Sequence, residues 1–137
     1  MEKNAKKAWS DNLSEELDFW WRWLTEDAFI PHREFRMDSR QQLSGELLAL
    51  LPEEQAVCAV LDVGSGPVSG IGALAPGKLI NLYLTDALAR EYNKMLNRLG
   101  ISAAVRPLPV DAEKLTTVFP EDYFDLVVLL QCSRPHL

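Results

Sequence analysis

The residues best suited to chemistry lie in "VLDVGSGPVSG", residues 60–70, where an apolar run meets Asp62 and then breaks into Gly64, Ser65 and Gly66. Glycines at this point let the backbone turn sharply and approach a ligand with no Cβ in the way, and N–H groups opening a following helix can meet a carboxylate or phosphate. A plain strand-to-helix turn is the alternative for the same residues. Two further acidic residues stand in related positions. Asp86 closes the apolar run "KLINLYLTD" and can accept both hydroxyls of a ribose, or cap the helix that follows. Asp111 follows "AAVRPLPV" and can accept from an exocyclic amine, or serve as another cap. If the three features close three neighbouring strands, they face one crevice, the place where open α/β sheets bind nucleoside-type ligands.

The elements that must position them follow from hydrophobic period. "AVCAVLDV" is continuously apolar, as in a strand covered on both faces; "KLINLYLTD", "AAVRPLPV" and "FDLVVLLQ" read as the second, third and fourth strands. Between the second and third, "ALAREYNKMLNRLG" places Leu88, Tyr92, Leu96 and Leu99 on one helical stripe, with Gly100 as its left-handed cap. "DAEKLTTVF" is a shorter helical stretch. Strands alternating with helices predict an α/β sheet with right-handed crossovers and helices on both faces.

Before about residue 52 the chain reads as helical. Leu13, Leu17, Trp20, Trp21, Leu24 and Ala28 share a face, with Asp11 or Ser14 placed to cap the start and Pro31 to follow the end. Phe19 and Trp23 fall off that stripe and are expected on a substrate face or a subunit contact. A second helix is expected from about Ser39 to Leu51, capped by Asp38 or Ser39. "IPHREFR" reads as a loop, with His32, Arg33 and Arg36 solvating it; an arginine near a ligand carboxylate is the other use for this pair. The expected division is a helical lid over 1–52 and an α/β unit over 53–137.

Composition narrows the partners. The 137 residues suit one domain, and 20 acidic against 14 basic residues give a net charge of -6. That charge repels nucleic acid and anionic lipid, and the basic residues form no strong cluster. Neither is an expected partner. No segment has the length to span a bilayer, and "MEKNAKKAWSDN" lacks the apolar core of a signal peptide, so a cytoplasmic location is expected. Cys58 and Cys132 have no metal-ligand spacing and read as reduced thiols; no metal is expected.

"VLDVGSGP", then "LTDALA", "VDAEKL" and "YFDLVVLLQ", resemble in order and spacing the motifs of the class I S-adenosylmethionine-dependent methyltransferases, over Val57 to Gln131. The resemblance implies a Rossmann-like, mostly parallel sheet with strands in the order 3-2-1-4, and an enzyme that moves a methyl group from S-adenosylmethionine to an unidentified acceptor. It implies that Asp62, Gly64, Ser65 and Gly66 lie beneath the methionine part of the cofactor and that Asp86 binds the ribose. Asp111 and the Ala112 backbone would hold adenine, and Gln131 would lie near the sulfonium. The "FWWRWL" helix resembles the lids such enzymes place before the core. Two departures stand out: Val68 occupies a position often held by glycine, and Gly70 and Gly72 predict a short or irregular following helix. A dinucleotide-binding domain is the nearest rival, but its fingerprint wants a third glycine or alanine at the position of Ser69 and usually begins near the chain's start.

The resemblance also implies a seven-stranded sheet, whereas "QCSRPHL" follows directly on the fourth strand. The edge formed by "FDLVVLL" is then expected to need a cover: a second copy, another subunit, or a separately encoded half. A truncated, non-catalytic remnant acting as an interaction module is the alternative. No catalytic base is assigned; His136 lies near the right region but close to a chain end.

Overall fold

The computed structural model describes residues 2–38, 40–103 and 105–129, with the side chains of 2–11 outside the described set. Gln131, Cys132, His136 and Ser39 lie outside the described residues. The fold is mixed α/β: an open four-stranded sheet in the order β2-β3-β1-β4, with helices α1 to α5. β1 (Val57–Val63) is central and pairs in parallel with β3 (Lys78–Thr85) on one side and β4 (Leu126–Val128) on the other. Asp125 fixes the start of β4, its amide donating to the Ala59 carbonyl while its carboxylate accepts the Ala59 amide, each at 2.8 Å.

The sheet differs from expectation at its outer edge. β2 (Leu74–Ala75) pairs antiparallel with β3, through a two-residue Pro76–Gly77 turn with Gly77 at φ 71°. "APGK" is a turn signal in its own right, with proline setting one φ and glycine taking the positive one. The expected third strand over 103–110 shrinks to one parallel bridge, Leu108 beside Thr85. Leu108 donates to Leu84 O at 2.9 Å and accepts from the Asp86 amide at 3.1 Å, but the next amide on that side, Val110, turns back to Leu108 O at 2.8 Å, which ends the ladder.

Alternation along the strands assigns the faces. Cys58, Val60, Ile80 and Val128 point one way, into a core shared with Leu43, Leu51 and Ile71. A second core joins Trp20, Trp23, Leu24 and Phe29 to Val68, Tyr92 and Leu96, uniting α1 (Glu2–Thr25), the loop after β1 and α4 (Ala89–Arg98). Residues on both sides of residue 52 therefore build both cores. The other sheet face carries the short α5 (Leu115–Val118) and the rings of Phe119, Tyr123 and Phe124 packed around Tyr83. Val57, Leu79 and Val127 stay exposed on it, so the two faces are covered unequally rather than both by full helices.

The N-terminal helices also depart from their sequence reading. α1 runs through Asp11 and Ser14, so neither caps its start, and Ala28 falls in a 3-10 turn, Asp27–Phe29. "IPHREFR" is not a loop but helix α2 (Ile30–Arg36), with Pro31 in its first turn, where a missing N–H costs nothing. The helix expected over 39–51 contracts to α3 (Gly45–Leu48), capped by Ser44, whose hydroxyl accepts the Leu47 amide. Gln42 instead lies beside Leu74 as an isolated bridge.

Candidate functional site

The loop 64–73 leaves β1 between its two parallel neighbours and forms no helix. The expected helix N-terminus facing a ligand is therefore not there. Gly72 shows why: a Cβ at this position would collide with the Gln42 and Gln41 carbonyls, so the chain lies flat against residues 41–43 instead of coiling. The loop is tied to β3 by its own backbone, with the Gly64 and Ser65 amides both donating to Thr85 O, at 2.8 and 3.2 Å.

Asp86 is the centre of the arrangement. Its Oδ2 accepts the Gly66 amide at 2.9 Å and its Oδ1 accepts the Leu88 amide at 2.9 Å. It thus joins the loop and steadies the approach to α4 at once: it stands two residues before Leu88, the N-cap of α4, and also takes on a tie to the loop that the sequence did not suggest. Burial pushes its pKa up, and the two amide bonds oppose that shift without cancelling it. The Leu108 bridge sets the 107–111 segment beside the end of β3, where the Asp86 amide donates to Leu108 O. Asp111 and Ala112, at the start of the 3-10 turn Ala112–Lys114, are exposed on that neighbouring segment.

Asp62 behaves differently. Only 3% of it is exposed, and its Oδ2 accepts the Ser69 hydroxyl at 2.6 Å, while the Ser69 oxygen accepts the Ile71 amide at 3.0 Å. The carboxylate braces the loop from within. Desolvation holds its pKa above the ordinary carboxylate range, with Ser69 and the charge of Arg36 pulling the other way. Ser65 is also buried, its hydroxyl donating to Gly66 O at 2.9 Å.

Over the loop lies the α1–α2 cover. Gly66 has φ 72°, and a Cβ there would stand 2.7 Å from the Trp20 ring. Trp23, expected at a surface, is fully buried; Phe19 packs against the same core and meets Trp20 edge-on at 5.3 Å. The loop and α4 pack around α1 from the side that carries Trp23, while Trp21 stays half-buried under Arg98. Arg36, expected in solvent, instead donates to Val68 O at 2.7 Å and Ser65 O at 3.4 Å. Arg33 donates to the Trp23 and Glu26 carbonyls at 2.6 and 2.8 Å, closing the end of α1. The signal for both was the spacing of Arg33 and Arg36 behind a first-turn proline, which puts them on one face of a short helix.

Two cavities are described. One of about 630 Å³ lies among Leu24, Ile30, Arg33, Met37, Leu99 and Ile101, and one of about 210 Å³ lies under Phe119 and Tyr123. Neither includes a residue of the glycine loop. Among the described residues no group of His, Cys, Asp and Glu side chains has the arrangement to hold a metal ion, and no helix is long and apolar enough to cross a membrane. Comparison with protein-family models, curated proteins and solved structures finds no match for this chain.

Proposed function

We propose that this chain binds S-adenosylmethionine at the carboxyl ends of β1 and β3 and forms the cofactor-binding half of a Rossmann-like methyltransferase. The single observation that carries the reading is the meeting of Gly66 with Asp86 beside the 107–111 segment. A glycine-containing loop, a strand-end carboxylate and the bridged 107–111 segment stand side by side at the point where the sheet's order reverses around β1. The residues present fit an adenosyl group in kind. Asp86 would accept the ribose hydroxyls, Asp111 and the Ala112 backbone would meet adenine, and Gly64 to Gly66 would pass beneath the methionine part.

When bound, the cofactor supplies an electrophilic methyl on its sulfonium. The chain's own contribution is orientation: holding the ribose and the loop so that an acceptor meets that methyl in line. Gln131, which by resemblance would lie near the sulfonium and the substrate mouth, lies outside the described residues. β4 is the outer strand among those described, with Leu129 exposed beside it, and a partner strand or second copy at that edge belongs to the same reading.

A calorimetric titration with S-adenosylhomocysteine tests the proposal. Binding heat is expected for the wild type and its loss for Asp86→Ala; no heat from either chain removes the reading. A second reading, a methyltransferase-like scaffold without turnover, is favoured by the closed state of the loop, where Trp20 covers Gly66 and the Asp86 oxygens are already engaged. Binding without methyl transfer, even with the covering partner supplied, would select it.

A further inference from the structure

Arg36 sits where α2, α1 and the loop meet. Its guanidinium lies over the rings of Trp20 and Trp23, at 5.2 and 5.7 Å from their centroids, and its NH2 group donates to the Val68 and Ser65 carbonyls. Gly70 closes the other side, where a Cβ would stand 3.4 Å from the guanidinium carbon. The charge of Asp62 lies near enough to act on it, yet that carboxylate is hydrogen-bonded to Ser69. The buried Nε has no partner.

A guanidinium stays charged at any working pH, so a buried one needs acceptors for its donors. This one has carbonyls, indole faces and a nearby charge, but an orphaned N–H. Such a contact is strong enough to close a structure and incomplete enough to open.

We propose that Arg36 is a latch: it fastens the α1–α2 cover to the glycine loop, and an adenosyl ligand enters only after this contact breaks. On release, Trp20 leaves Gly66, and Asp86 exchanges the Gly66 amide for a ribose hydroxyl. The opening step belongs to the protein alone; the ligand step rests on the nucleoside-binding reading given above.

Amide hydrogen exchange on the full chain tests the latch without any ligand. In Arg36→Gln and Arg36→Lys, amides over residues 20–36 and 64–70 are expected to exchange about tenfold faster or more, while β1 and β3 keep their protection. Unchanged exchange overturns the latch. Stopped-flow mixing with S-adenosylhomocysteine tests the ligand step: the wild-type rate is expected to level off at high ligand, and Arg36→Gln to raise that ceiling about tenfold. A rate that climbs linearly without a ceiling overturns the gating. So does an Arg36→Gln chain with wild-type exchange and weakened affinity, which would make Arg36 a ligand contact. If Arg36→Gln does not fold, Trp20→Phe, which withdraws the ring from Gly66, is expected to raise the same ceiling. Absence of binding by the wild type removes the nucleoside reading, and the exchange result then decides the latch alone.

Discussion

The Gly66 amide donates to the Asp86 carboxylate at 2.9 Å, across 20 residues of sequence. One hydrogen bond thereby joins the loop after β1 to the end of β3, and the same carboxylate holds the Leu88 amide at the approach to α4. A nucleoside would have to compete with the protein's own backbone for this group. Asp86→Asn keeps the shape but exchanges one accepting oxygen for an NH2 donor, so either the Gly66 or the Leu88 amide loses its acceptor, and a cost of about 1–2 kcal/mol of stability is expected, read from urea unfolding. A neutral result would mean that the pair does not hold the loop.

Gly66→Ala should be worse than its size suggests. The residue has φ 72°, and the added Cβ would meet the Trp20 ring at 2.7 Å. Left-handed strain and overpacking together predict a loss of about 2–4 kcal/mol. Pairing it with Trp20→Phe should recover part of that loss, because the smaller ring vacates the contact. Additivity of the two changes would show that the ring and the glycine do not meet in solution.

Trp23→Ala and Trp21→Ala separate the two indoles that the helical pattern alone ranks the other way. Trp23 is fully buried, so its truncation is expected to cost about 3–5 kcal/mol. Trp21 is half-buried under Arg98 at 5.3 Å, and about 1 kcal/mol is expected there. Equal losses in thermal melts would contradict the packing of α1.

Acidification should favour the folded state through Asp62. Its folded pKa is raised by burial, so its protonated form is the one that the fold prefers. The stabilising contribution is fully present below the ordinary carboxylate range and is lost as pH rises through the raised folded value. Measured between about pH 4 and about pH 7, the stability of the wild type relative to Asp62→Asn is expected to fall as pH rises. A pH-independent difference would refute this. Asp86 is shifted in the same direction by the same cause, so Asp62→Asn should retain part of the acid stabilisation.

Lys78 ties the start of β3 to the segment before β1. Its Nζ donates to the Pro52, Glu53 and Gln55 carbonyls at 2.6, 3.2 and 2.7 Å. Lys78→Met keeps the aliphatic stem and removes the donors, and a loss of about 1 kcal/mol is expected. Faster amide exchange at residues 52–57 in this variant would place the effect at that turn; exchange indistinguishable from wild type would show the contact to be energetically idle.

The parts of the fold that local pattern determined are those in which neighbouring residues carry the whole signal. β1 and β4 are largely apolar runs, β3 is a leucine-rich run that opens with Lys78 and is broken by Asn81, and α4 shows its buried stripe, with Tyr92 and Leu96 in the core. The loop at Gly64–Gly66 and the strand-end acid Asp86 were legible for the same reason, since a glycine pair and a carboxylate at the end of an apolar run are local features. The "APGK" turn is a local signal too, but the expected strand begins at Lys78 with none before it, which leaves out β2 and its antiparallel pairing.

What tertiary structure alone decided are the facts that depend on which surfaces meet. A helical wheel gives the period of α1 but not its rotation, so Trp23 is buried because α4 and the loop approach from its side. Arg36 is not solvated because two indoles of α1 and two loop carbonyls, the latter 29 and 32 positions along the chain, surround it. Leu108 makes a bridge rather than a strand because the next amide that could face β3, Val110, bonds back to the Leu108 carbonyl instead. The amino-acid sequence placed an acid and a glycine loop at strand ends; only the packing of α1 and α2 against them determined that the loop is covered and its acid already engaged. Burial and long-range hydrogen bonding are properties of pairs of surfaces, and a linear pattern carries one surface at a time.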